Sequence, residues 1–448
     1  MRRSMWVRQL AVVTVLGLVA AACGNGEEAE EPVEEDEEEV EEEVEEEPEE
    51  EPEDEETEEE DAAEGDDSAL NLGYILPESG PLAFLGPPQI EAANLAVQDM
   101  NDAGGVLGEE VTLASGDEAG DTTLASEAAQ QHINDGVDAI LGAAASGMSL
   151  AFVDAVTDAG VLQCSGSNTA PTFDDGDYGG LYFRTAPTDA LQGPVLAETI
   201  VADGNTNPAI LARADDYGQG LLDATVAELE AQGATVAAEI TYDPDAANFD
   251  AEVGQAADSG ADAVAIIAFD EGAQILATMV EQGLSTADIP TYGADGMAGD
   301  DLAELVDPGD SGVIEGLTGT RPGGGDVSEA FLERFTEETG IEDTTFAAEL
   351  YDCGILVGLA AELAGSTDSE AIAAEMINVT SGDAECSSFE ECRDLIADGE
   401  DIAYQTASGV ALLADSEGNG HPEAGSYEVW QIDGEGSLNV IDTVLSSF

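Results

Sequence analysis

The chain has 448 residues, enough for two or three domains and a substantial core. Its 101 Asp and Glu stand against 8 Lys and Arg, a net charge of −93, and all eight cations are arginine. Without lysine there is no phosphate-binding loop of the usual kind and no Schiff-base enzyme, and so acidic a surface repels nucleic acid, which needs basic patches that displace counterions.

The first element is an export signal. Arg2, Arg3 and Arg8 precede an apolar run from Leu10 to Ala22, too short to span a bilayer but long enough for a signal core. The run ends in Ala20-Ala21-Ala22-Cys23-Gly24, which resembles a lipobox with Cys23 as the lipidated first residue of the mature chain; ordinary Ala-x-Ala cleavage is the alternative. Residues 1–22 are thus expected as signal peptide and 23–67 as a lipid-anchored acidic linker. Residues 27–67 hold 30 acids in 41 positions, broken by Pro32, Pro48 and Pro52. Such a segment repels itself and buries nothing, so it reads as an extended tether. Residues 68–448 keep 71 acids against 5 Arg, a net of −66. That excess points to a hypersaline medium, because molar salt cuts the Debye length to about 3 Å.

From residue 68 the chain alternates strands and helices. Apolar runs Leu70–Ile75, Glu110–Ala114, Ala139–Leu141 and Val161–Gln163 predict strands. Amphipathic stretches Gln89–Asn101, Thr122–Asp135 and Ser149–Ala159 predict the helices between them. The rhythm restarts with strands Pro208–Ala212, Ala234–Tyr242, Ala263–Ile267 and Pro290–Gly293, separated by helices Gly220–Gln232, Phe249–Ala257 and Glu271–Gln282. Helices Glu329–Thr336, Thr344–Ala364 and Ser369–Val379 follow, then strands Ala407–Ala414 and Ser426–Ile432. Two parallel α/β units in succession predict two doubly wound lobes.

Cysteine usage suits an exported chain. Cys386 and Cys392 lie six apart in a polar loop and are expected to pair in an oxidising compartment, while Cys164 and Cys353 are left open between free thiols and a second bridge. The two histidines, His132 and His421, are read as ordinary surface residues, so neither a metal site nor a general base is expected.

In doubly wound sheets, ligands bind outside the carboxyl ends of the strands. The loops there carry Ser, Thr, Tyr, Asp and Gly, suited to hydrogen bonding a small polar molecule, and hold no nucleophile–base pair. Their motifs run SGP…G (Ser79 to Gly86), MNDAGGVLG (Met100 to Gly108), LGAAASG (Leu141 to Gly147), SGSNTAP (Ser165 to Pro171), FRTAPTDALQG (Phe183 to Gly193), DDYGQG (Asp215 to Gly220), YGADG (Tyr292 to Gly296) and LYD (Leu350 to Asp352). In this order they resemble the branched-chain amino acid and amide binding proteins of ABC importers, of the leucine-binding protein family with the type I periplasmic-binding fold.

The resemblance implies an α/β, Venus-flytrap architecture of two lobes joined by a hinge, over residues 68–448. Lobe 1 is expected at about 68–187 and 318–404, and lobe 2 at about 188–317 and 405–448. It implies that Ser146 and Thr169, with backbone groups near Ser167, hold an α-carboxylate, and that Asp295 from the second lobe pairs with the α-ammonium. Tyr217 and Phe269 would close over the ligand, Leu85 would touch its side chain, and Arg184 would be structural. No enzyme activity and no cofactor are implied. The implied protein is an extracytoplasmic, membrane-tethered monomer that captures a small apolar amino acid for an ABC permease and its ATPase. Two alternatives stay open: a sensory receptor domain, which would need a membrane helix after the domain where the chain stops at Phe448, and an amide, urea or aromatic-acid binder of the same fold.

Overall fold

A computed structural model of the chain describes residues 69–325, 328–415 and 418–447. The expected signal, Cys23 and the acidic tether lie outside the described residues. The first strands are β1 (Asn71–Ile75), β2 (Thr112–Ala114), β3 (Ala139–Gly142), β4 (Leu162–Ser165) and β5 (Tyr182–Arg184). Then come β6 (Ala209–Arg213), β7 (Ala238–Tyr242), β8 (Val264–Ile267), β9 (Thr291–Gly293) and β10 (Thr318–Pro322). The last are β11 (Ala384–Cys386), β12 (Ile402–Tyr404), β13 (Leu412–Ala414), β14 (Gly420–Pro422), β15 (Ala424–Ile432) and β16 (Leu438–Ser447).

One sheet has the order β13-β14-β5-β4-β3-β1-β2 and the other β16-β15-β10-β9-β8-β6-β7. The inner strands of both pair in parallel, β3 with β1 and β4, and β8 with β6 and β9. Parallel strands covered by helices on both faces read as continuous apolar runs, and β3 and β8 are buried at every position. This is the expected pair of doubly wound lobes. The chain passes between the sheets after β5, after β10 and after β14.

Two lobe boundaries differ from expectation. Thr318–Pro322 falls within the expected span of lobe 1, yet β10 pairs with β9 and β15 in the second sheet. Residues 405–422 fall within the expected span of lobe 2, yet β14 pairs with β5 at the edge of the first sheet. The partners of these short polar strands are distant in sequence, so local pattern does not reveal their sheet. Lobe 1 is built around the helix Ala347–Ala364, buried from Ala347 through Ala361 and packed with Leu72, Leu141 and Phe183. Trp430 and Ile266 anchor the core of lobe 2.

The expected Cys386–Cys392 pair is present in a different setting, and the histidine expectation needs correction. Cys386 and Cys392 do bond, at 2.06 Å, but from the end of β11 and the helix Phe389–Ala397, and both are buried. The acid-rich helix hid behind its charges. Cys164 on β4 is bonded to Cys353 in the central helix at 2.02 Å. His132 is not a surface residue: it is buried, with Nε2 2.9 Å from the Tyr74 carbonyl, in space that a side chain at Gly73 or Gly116 would fill. His421 lies on β14, partly buried, with Nε2 3.2 Å from Asp415.

Candidate ligand-binding site

Two loops at the carboxyl ends of β3 and β4 form the lobe 1 wall. The Ser165 hydroxyl donates to the Ala143 carbonyl at 2.7 Å and accepts from the amides of Ser167 and Asn168. The Asn168 side chain donates to the carbonyls of Ala143 and Ala144, both at 3.0 Å. Arg184, fully buried, donates to the carbonyls of Asn168 and Ala170 and pairs with Asp174, so it braces the loop as a structural residue. A closed polar network of this kind fixes the loops rigidly.

Ser146 opens the helix Ser146–Asp158, and its Oγ accepts the amides of Thr169 at 3.3 Å and Ala170 at 3.2 Å. A hydroxyl has one hydrogen and two lone pairs, so with both lone pairs engaged its hydrogen is left to donate. The Ser167 hydroxyl is already committed to Gln89 and the Ala144 carbonyl. Behind this wall, the buried Glu118 carboxyl accepts from the amides of Ala144 at 2.7 Å and Ala145 at 3.3 Å; burial pushes its pKa up to about 8 against the pull of those two bonds.

The second lobe contributes a carboxylate and two aromatics. Asp295 sits in a single turn, Asp295–Met297, after β9. Its Oδ1 accepts from Gln192 Nε2 at 2.7 Å and from the Tyr217 hydroxyl at 3.0 Å. Burial raises its pKa to about 6, against those two bonds, which favour the anion. Tyr217, on the helix Asp216–Ala231, stacks on Phe269 with ring centroids 5.3 Å apart. The Arg213 guanidinium lies 3.4 Å over the Phe269 ring centroid, held by Asp215 at 2.6 Å and Glu271 at 2.9 Å. A cation on a desolvated ring is worth about 2 kcal/mol, so Phe269 is firmly seated.

All seven residues singled out from the sequence, Leu85, Ser146, Ser167, Thr169, Tyr217, Phe269 and Asp295, line one cleft with Leu82, Phe346 and Gly296. Leu82 and Leu85 share one apolar cluster with Tyr217 and Phe269, so the two walls touch. The water-sized space between them is ≈ 10 Å³, about one water's worth, so an amino acid enters only if the walls part. A wider surface groove of ≈ 340 Å³, between the helix Asp189–Ala202 and the β15–β16 hairpin, is lined by Glu198, Asp203 and Asp442 and lies away from the strand ends.

Sequence reasoning missed three residues here. Gln192 orients Asp295, and Phe346 lines the cleft from the second crossing segment with φ of 60°. Asp189 opens the helix Asp189–Ala202, is fully buried, and neither carboxyl oxygen has a hydrogen-bond partner. Its amide donates to the Thr169 carbonyl at 2.7 Å, and Gln192, one turn further along the same helix, donates to Asp295, whose charge acts on Asp189. The available signal was the run TDALQG, whose acid and amide stand three apart and so share one helix face.

The periplasmic binding protein family model matches residues 69–389. The Leu/Ile/Val-binding protein homolog 1 of Brucella suis is 26% identical over 309 residues, covering 68% of this chain and 81% of that protein. Among solved structures, the leucine-binding protein LivK of Thermotoga maritima superposes with a TM-score of 0.69 at 23% identity, covering 84% of this chain and 99% of that one. The branched-chain amino acid substrate-binding protein LivJ of Streptococcus pneumoniae, in complex with isoleucine, gives 0.68 at 21% identity over 84% and 100% of the two chains.

Proposed function

The chain belongs to the periplasmic binding protein family, and on that premise we propose that it captures a small α-amino acid with an apolar side chain outside the cytoplasm. One observation carries the reading: Ser146 of one lobe, its hydroxyl hydrogen left to donate, and the buried Asp295 carboxylate of the other line a single apolar-walled cleft. Ser146 would donate to the ligand carboxylate, helped by the amide-rich start of its helix. Asp295 would pair with the ammonium, and Leu82, Leu85, Tyr217 and Phe269 would enclose the side chain. The relatives named for Leu, Ile and Val binding support this ligand class.

A ligand touching both lobes favours the closed arrangement by its differential contacts. The closed form would then deliver the amino acid to an ABC permease, with the chain tethered through lipid on Cys23 and its acidic linker. Among the described residues no helix is long and apolar enough to cross a membrane. The test is a thermal-shift screen of amino acids, amides and aromatic acids in molar salt. A true ligand at a hundredfold excess over Kd adds about 2.7 kcal/mol of stability. Stabilisation by leucine, isoleucine or valine supports the reading, whereas stabilisation only by neutral amides or urea overturns it. Mass spectrometry of the native N-terminus tests the anchor, expecting diacylated Cys23.

A further inference from the structure

Asp189 has no role in the reading above, and its surroundings are unusual. The carboxyl is fully buried at the start of its helix, and neither oxygen closes a hydrogen bond, while its own amide holds the Thr169 carbonyl at 2.7 Å and Gln192 on the same helix holds Asp295. The groups that act on it are the Asp295 carboxylate, which disfavours its charge, the Thr169 hydroxyl and Arg184, which favour it, Asp174, which is paired with that arginine, and the phenols of Tyr217 and Tyr427. Asp295, by contrast, accepts two hydrogen bonds on Oδ1. Burial without a closed hydrogen bond, under the charge of a second acid, favours the protonated carboxyl over the carboxylate. The two acids therefore differ in kind: Asp295 is solvated by protein donors, and Asp189 is not.

We propose that Asp189 and Asp295 hold a proton between them in the ligand-free protein, carried on Asp189, and that an arriving ammonium group expels it to solvent. The proposal rests on the amino-acid reading of the cleft. The balance is simple: the ligand enters with a fixed positive charge, the Asp189 O–H bond breaks, its electron pair stays on the carboxylate, and the proton leaves to water. The pair then matches the ammonium with two negative charges instead of one. A neutral amide supplies no positive charge and leaves the proton in place, so the pair selects cationic amines.

The sign follows from linkage. If binding releases a proton, affinity rises with pH between the pKa of the pair in the complex and its higher value in the free protein, by at most tenfold per pH unit. The experiment is titration calorimetry of the full chain with L-leucine in molar salt, run in two buffers of different ionisation enthalpy from pH 5 to 8. The expected result is release of a substantial fraction of one proton, a buffer-dependent heat, and tighter binding as pH rises. Between pH 7 and 8, where Asp295 is already ionised, Asp189→Asn should remove both the proton release and the pH dependence. The carboxylic-acid C=O band in infrared spectra of the ligand-free parent needs no variant. It should weaken when leucine binds and be reduced in Asp189→Asn. Leucine binding with no proton change, or release between pH 7 and 8 that survives Asp189→Asn, overturns the proposal and leaves the amino-acid reading standing. If neither leucine nor any other α-amino acid binds, the amino-acid reading fails and this proposal falls with it.

Discussion

At the scale of single residues, the two ends of the ligand should report on different lobes. The ammonium–Asp295 pair would be desolvated on closure, and removing one partner of such a pair costs about 2–5 kcal/mol. Asp295→Asn should therefore weaken leucine binding by roughly one and a half to three and a half decades. Ser146→Ala should cost less, about 1.5–3 kcal/mol, the worth of one hydrogen bond to a charged group. Leucinamide, which lacks the carboxylate, should be nearly indifferent to Ser146→Ala and still feel Asp295→Asn. Calorimetry on these four combinations checks the assignment, and equal losses for both ligands on Ser146→Ala would contradict it. A third substitution probes the aromatic wall. Arg213→Gln removes the cation from the Phe269 face and strands Asp215 and Glu271. It should lower the melting temperature and speed leucine dissociation, measured by stopped-flow, while Glu271→Gln in the same background recovers part of the stability because one buried charge no longer lacks a partner.

At the scale of elements, legibility tracked burial. The inner parallel strands stood out because both faces are covered, and the helix Thr122–Asp135 stood out because Asp121 caps it and Gly136, at φ 74°, ends it. The elements that escaped notice are those whose partners, not their own pattern, define them. The helix Asp189–Ala202 contains Gly193 and Pro194, both breakers by local rules. Gly193 is required there, since a Cβ would lie 2.5 Å from the Ala224 Cβ on the adjacent helix, and only the fold reveals that approach. The strand Leu438–Ser447 is an exposed edge with little apolar alternation. The site was more legible than these elements, because its loops follow the most readable strands. Asp189 was hidden among the many acids of the domain. The disulfides give this scale its prediction. Cys164 and Cys353 close a span of 189 residues, Cys386 and Cys392 a span of six. Constraint of the unfolded chain grows with loop length, so losing the long-range bridge should cost about 5 kcal/mol and the short one about 2. Urea unfolding of the two double-serine variants compares them, and a larger loss from Cys386→Ser/Cys392→Ser would contradict the ordering.

For the whole molecule, charge is the dominant fact. Each of the five arginines beyond residue 67, Arg184, Arg213, Arg321, Arg334 and Arg393, is paired with an acid in the folded chain. The remaining acids, an excess of 66 in residues 68–448, have no cation to offset them. At 0.1 M salt the Debye length is about 10 Å, so neighbouring surface acids repel across the molecule; at 1 M it is about 3 Å and each is nearly isolated. Stability should thus climb steeply with KCl or NaCl. A second dependence comes from inside. Burial raises Glu118 and Glu349 to about 8 and Asp352 and Asp295 to about 6. The folded state keeps protons that the unfolded chain surrenders near pH 4, so the stability these groups contribute is full below that value and is lost as pH rises through their folded pKa. Each group steepens the fall by about 1.4 kcal/mol per pH unit within its own window. Low-salt acidification from pH 8 to 5 should stabilise the fold through both effects at once, since surface acids approach neutrality as the buried ones regain protons. Molar salt separates them: screening removes the surface term, and the pH slope that persists belongs to the buried carboxyls. Chemical unfolding followed by circular dichroism over a grid of pH and KCl measures both, and Glu118→Gln should flatten the molar-salt slope between pH 5 and 8. A stability that is flat in salt would contradict the hypersaline setting, and an unchanged slope in Glu118→Gln would show that this carboxyl ionises inside the folded lobe.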